Sequence, residues 1–103
     1  MNSAWIGEHH FNLLNVNPCL NIRLAKRAGA TTRIRLAPVV VLLPIRHRPH
    51  VAEEWATLDL LSNGRVDFAA GCGYDRLEYE PVGAPFQDSA ELLAEGLEIV
   101  WRA

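Results

Sequence analysis

Residues Thr32 to Leu43 read T-R-I-R-L-A-P-V-V-V-L-L. The run is too continuously apolar for a strand with one wet face, so it predicts a strand buried on both sides. Burial on both faces is the condition of a parallel sheet with helices packed over it, and the flanking sequence supplies both parts. Ser3 to Gly7 and Val66 to Gly71 are two further short apolar runs that read as strands. Between them, Asn17-Pro18 looks like an N-cap with proline opening a helix after a polar loop at Asn12 to Asn17, and Leu20, Leu24 and Ala28 recur at helical spacing up to Gly29. Pro49 opens a second helix with Val51, Trp55 and Leu58 on one face and Glu53 and Glu54 in its first turn; Asn63-Gly64 closes it. After a loop carrying Gly73, Pro81, Gly83 and Pro85, Asp88 and Glu91 form a D-x-x-E capping box. The helix behind it buries Ala90, Leu93, Leu97, Val100 and Trp101, with Glu91, Glu95 and Glu98 toward water. Strand and helix thus alternate three times.

A closed barrel of eight such units takes about 250 residues, roughly 31 per unit, so the 103 residues here hold about three. Half the residues are apolar and 21% are charged, which is ordinary globular composition. The formal net charge is −2 and the basic residues are scattered, save a small cluster at Arg46, His47, Arg48 and His50, so neither nucleic acid nor an anionic membrane is expected as a partner. The longest apolar run, Leu36 to Ile45, is half a bilayer span and contains Pro38 and Pro44. No secretory signal is visible, which makes a cytoplasmic location the expectation. Cys19 and Cys72 stand far apart without a C-x-x-C partner, arguing against a zinc ribbon or a thioredoxin-like motif, and no disulfide is expected between them because cytosolic thiols normally stay reduced.

Chemistry concentrates at W-I-G-E-H-H-F, residues 5 to 11, where an apolar strand runs into one carboxylate and two imidazoles. Ionisable groups at the C-terminal end of a buried parallel strand are how a (β/α) catalytic face is built. Adjacent strand residues point to opposite sides, so Glu8, His9 and His10 cannot all face one site. The i, i+4 spacing of a zinc helix is absent and no metal is expected. His9 is the candidate proton donor or acceptor near neutral pH, and His10 reads as a histidine satisfied by a backbone hydrogen bond. Gly71-Cys72-Gly73 follows a strand but lacks the third glycine and the immediate helix of a dinucleotide fingerprint. It reads either as a turn that lets backbone amides approach a planar or anionic ligand or as a plain structural turn. Nothing beside Cys72 activates it as a nucleophile. Trp55 and Trp101 read as packing residues, and Asp59 with Arg65 as a local ion pair.

Taken together, the segments resemble the bacterial luciferase-like, flavin-dependent monooxygenase family. The matching residues are W-I-G-E-H-H-F at 5 to 11, Asn17-Pro18, T-R-I-R-L at 32 to 36, L-L-P at 42 to 44, A-E-E at 52 to 54, L-D-L-L-S-N-G-R at 58 to 65, G-C-G-Y at 71 to 74, E-Y at 78 to 79, and Val82-Gly83. Their joint order and spacing carry the likeness. It implies an α/β fold, a partial TIM (β/α)₈ barrel of three consecutive parallel βα units, with residues 1–103 forming about the second to fourth units of one barrel domain. It also implies a monooxygenase in which reduced FMN, supplied by a separate flavin reductase, reacts with O2 to oxidise a small organic substrate such as an aldehyde, an alkane or a sulfonate.

By that resemblance His9 is the catalytic histidine and Glu8 a carboxylate close to the flavin. Val39 and Val40 are the strand-end pair whose non-prolyl cis peptide lies against the flavin ring, and Cys72, Gly73 and Tyr74 belong to the loop lining the cofactor. Luciferases carry arginine where this chain has Cys72, a lost fixed positive charge. Relatives often pair as dimers. Alone, three parallel strands leave two unpaired edges and an uncovered apolar face, so the chain by itself is not expected to be active. The alternatives are a non-catalytic remnant or flavin-binding relative, and a deazaflavin-dependent reductase of the same superfamily.

Overall fold

The computed structural model describes residues 2–11 and 17–102. Its strands are β1 (Ser3–Ile6), β2 (Arg35–Pro38), β3 (Val41–Leu42) and β4 (Ala70–Gly71), and its helices α1 (Leu20–Ala30), α2 (Arg48–Leu61) and α3 (Ser89–Arg102). β1 runs parallel to β2, with Ser3 opposite Arg35 and Ile6 opposite Pro38, and β3 runs parallel to β4, with Val41 opposite Ala70. A parallel bridge between Leu36 and Val66 joins the two pairs. The middle segment therefore bonds on both sides: Val39 N–H donates to the Ile6 carbonyl at 2.7 Å, and Val41 N–H to that of Ala69 at 2.8 Å. This is a partial TIM barrel, three parallel extended segments with helical crossovers.

The predicted central strand is shorter than Thr32 to Leu43 and falls into two pieces, parted at Val39-Val40, whose peptide bond is cis. It ends where Leu43–Ile45 turns into a 3₁₀ helix, since Pro44 has no N–H to continue a ladder. Leu36, Ala37, Val41, Leu42 and Leu43 are all buried, as the apolar run requires. Among the described residues the third strand pairs at Val66 and at Ala70–Gly71.

Leu20, Leu24 and Ala28 of α1 pack with Val51, Trp55 and Leu58 of α2 and with the strands in one core. Each buried leucine contributes about 2 kcal/mol of burial free energy. α1 starts at Leu20, not at Pro18, because Asn17 is used elsewhere: its side-chain amide donates to the Gly7 carbonyl and its Oδ1 accepts from Arg23 at 3.1 Å. The rest of the polar loop expected before it lies outside the described residues. α2 begins at Arg48, which puts Glu53 and Glu54 in the second turn, not the first. Asn63 and Gly64 close it in left-handed conformations, φ 57° and 76°.

α3 departs further from expectation. A 3₁₀ turn, Phe86–Asp88, runs straight into it, and among the described residues Asp88 and Glu91 form no capping pair. Ala90 is exposed, Leu97 is 42% exposed and Trp101 90%, so Trp101 is not a packing residue among the described residues; only Gly96 of this helix is buried. Arg65 makes no ion pair with Asp59. Its guanidinium instead donates to the carbonyls of Ala28, Thr31 and Ile34, closing the C-terminal end of α1, while Asp59 accepts the Val66 N–H.

Candidate functional site

All three extended segments end on one side of the sheet, and the expected site residues lie on the segments that leave them. Two glycines allow the approach. A Cβ on Gly71 would stand 2.6 Å from Val40 Cγ2, and one on Gly73, at φ 71°, 2.7 Å from Leu42 Cδ2. Side chains there would push the third segment off the second. At the edge so formed, Val39 is 46% exposed and Tyr74 80% exposed, and the cis peptide joins Val39 to Val40.

E-H-H divides by alternation, even though β1 has ended. Glu8 and His10 turn to one side, where Glu8 Oε1 meets His10 Nε2 at 2.7 Å. His10 is thus satisfied by a carboxylate, not by the backbone group expected. Glu8 is 2% exposed; its Oε1 also accepts from Arg46 at 2.8 Å, and its Oε2 accepts the Leu42 N–H at 2.6 Å. Burial pushes the Glu8 carboxyl up, but the bonds from His10, the Leu42 N–H and Arg46 outweigh it and hold the group below its ordinary value near 4.5. Arg46 reaches on to Glu54 at 3.1 Å, and Asn21 to the same oxygen at 3.0 Å. Both Glu8 oxygens are occupied within the protein, so its carboxylate acts on the edge through the strand it holds.

His9 turns the other way. Its Nδ1 lies 3.2 Å from Glu78 Oε1, and its ring meets that of Tyr74 edge-on, centroids 6.1 Å apart. The structure therefore brings His9 and Tyr74 together across the first and third segments. Cys72 is half-buried, its thiol donating to the Ser89 carbonyl at 3.5 Å, and its own carbonyl accepts the Tyr79 hydroxyl. Tyr79 is fully buried and stacks edge-on against Phe86; burial pushes its phenol upward. Cys19 and Cys72 both carry free thiols.

Sequence reasoning missed Glu78, Arg46 and Tyr79 as parts of this edge. The E-Y pair at 78 to 79 and the basic cluster at 46 to 50 were the available signals, but neither says which distant group it meets. Among the described residues no three His, Cys, Asp or Glu side chains are placed to hold a metal, and no helix is long and apolar enough to cross a membrane.

At this edge the exposed Val39 and Tyr74 present apolar and aromatic surface beside the glycine turn. The luciferase-like monooxygenase family matches residues 1–103. The chain is 34% identical over 98 residues to limonene 1,2-monooxygenase of Rhodococcus erythropolis, covering 95% of this chain and 25% of that protein. It is 35% identical over 80 residues to the oxygenase component of the flavin-dependent trigonelline monooxygenase of Acinetobacter baylyi, covering 78% of this chain and 22% of that one. The oxygenating constituent of 3,6-diketocamphane monooxygenase of Pseudomonas putida, solved in complex with FMN, superimposes with a TM-score of 0.89 at 25% identity, over 97% of this chain and 28% of its own. The chain spans about a quarter of the length of the curated relatives it matches.

Proposed function

This chain belongs to the luciferase-like monooxygenase family, and from that premise we propose that it is the part of a flavin-dependent monooxygenase that seats reduced FMN and handles a proton beside it. The observation that carries the reading is the meeting of His9 and Tyr74 at an edge where Val39 and Tyr74 are exposed. Val39, Val40, Cys72, Gly73 and Tyr74 would hold the flavin. Glu8 contributes by fixing Leu42 and Arg46. Bound reduced FMN would supply the two electrons that let O2 deliver one oxygen atom to a small organic substrate of the aldehyde, alkane or sulfonate type and the other to water. His9, partly exposed, gives or takes the accompanying proton at its imidazole. Tyr74 shields the imidazole on one side.

The reading places residues 1–103 at about the second to fourth βα units of the barrel, in a dimeric, cytoplasmic protein served by a separate flavin reductase. The name of the trigonelline relative as an oxygenase component supports that division of labour. The test uses the intact protein carrying this chain, with reduced FMN, O2 and a long-chain aldehyde. Product should form, and His9→Ala should cut turnover about 100-fold while FMN still binds. Full turnover in His9→Ala removes His9 from the reaction. Oxidation of reduced deazaflavin without oxygen uptake assigns the protein to the reductase branch, and failure to bind any flavin makes it a non-catalytic relative.

A further inference from the structure

Glu78 ends the 3₁₀ turn Arg76–Glu78 and is 1% exposed, yet it reaches back 69 residues along the chain to His9. One oxygen, Oε1, takes two partners: the backbone N–H of His10 at 2.9 Å and Nδ1 of His9 at 3.2 Å. The other, Oε2, lies 3.5 Å from where a Cβ on Gly73 would stand. An ionised carboxylate only accepts. Nδ1 must therefore carry a hydrogen to bond it, which leaves Nε2 of a neutral imidazole with its lone pair. No bond among the described residues uses Nε2, and the His9 side chain is 24% exposed.

We infer that Glu78 is the positioning residue of His9: it fixes the Nδ1–H tautomer and thereby makes Nε2 the atom that accepts the proton. The inference rests on the proton role proposed for His9. It explains why a carboxylate is buried at this turn, where its burial costs desolvation.

Glu78→Gln keeps the size and an acceptor for the His10 N–H, but its amide can now donate to Nδ1 and admit the other tautomer. The intact protein, labelled with ¹⁵N-histidine, gives the tautomer of His9 directly above about pH 8, where an ordinary histidine is neutral; the His9 signal is assigned by its loss in His9→Gln. The parent should show Nδ1–H. Glu78→Gln should show a mixture and lose about tenfold in kcat, with KM for the organic substrate and FMN affinity within about twofold. Glu78→Asp should restore the tautomer and part of kcat. An Nε2–H tautomer in the parent overturns the inference, as does an unchanged tautomer in Glu78→Gln, and the parent spectrum decides if that variant does not fold. A tautomer change alongside normal turnover in His9→Ala refutes the proton role instead, and with it any share of Glu78 in catalysis.

Discussion

The Glu8 carboxylate accepts the Leu42 backbone N–H at 2.6 Å, a bond that joins positions 34 residues apart and pins the second strand end to the segment leaving the first. The same carboxylate holds His10 and Arg46, and it is almost wholly buried. A buried charge with this many partners is costly to disturb from either side: removing the charge leaves Arg46 with Glu54 alone and the Leu42 N–H facing a weaker acceptor, and removing a partner leaves the buried charge less well compensated.

Acid should reveal that dependence. The Glu8 carboxyl titrates below its ordinary value near 4.5 in the folded chain, so the unfolded state binds a proton first as the pH drops. Its stabilisation is complete above the ordinary value and is lost as pH falls through the lower folded one. The urea midpoint of the intact protein should fall accordingly. Glu8→Gln should cost about 3 kcal/mol at pH 7 and show a shallower acid slope, and identical slopes in the two proteins would remove Glu8 as the cause.

Alanine at the glycines should separate the close approaches from the plain turns. At Gly71 the new methyl meets the stiff, β-branched Val40 at 2.6 Å, and at Gly73 it meets Leu42 at 2.7 Å in a left-handed backbone. Each should lower stability by about 1–3 kcal/mol and weaken flavin binding, because the third segment must shift. At Gly83, also left-handed but with nothing within 4 Å of a Cβ, the cost should be about 1 kcal/mol with flavin binding intact. Equal flavin affinities in all three variants would show that the spacing of the segments does not shape the site.

Cys72→Arg tests the missing charge. In the proposed reading the thiol sits on the loop that lines the flavin, and Arg76 of the same loop is engaged over the Phe86 ring, 5.6 Å from its centroid. Arginine at 72 should tighten FMN about tenfold, near 1.4 kcal/mol, with riboflavin, which has no phosphate, unchanged. Fluorescence titration of both ligands gives the comparison. An equal gain for both would place the new charge by the ring and not by the phosphate.

Two features follow residue order. The cis peptide between Val39 and Val40 stands where the resemblance implied it, and His9 and Tyr74 meet. What the sequence did not reveal was the use of each polar group. Glu8 and Glu78 are both carboxylates near histidines, but each is defined by donors more than 30 residues away, Leu42 for one and His9 for the other. Asn17 looked like a helix cap and is instead a clamp on Gly7 and Arg23; Arg65 looked like the partner of Asp59 and instead caps α1. Local patterns rank the bonds a residue could make with its neighbours, and a long-range partner that removes more buried polarity overrides them.

From the sequence alone came the alternation of strand and helix, the parallel sheet, the core faces of α1 and α2, and the edge at which chemistry collects. These follow from apolar periodicity and from turn residues, which act over a few positions. Only the tertiary structure decided how far each strand pairs, that α3 leaves Leu97 and Trp101 exposed, and that Glu8 lies inside while His9 stays open. Those outcomes depend on which hydrogen-bonding groups are buried together, and burial is set by the whole packed chain.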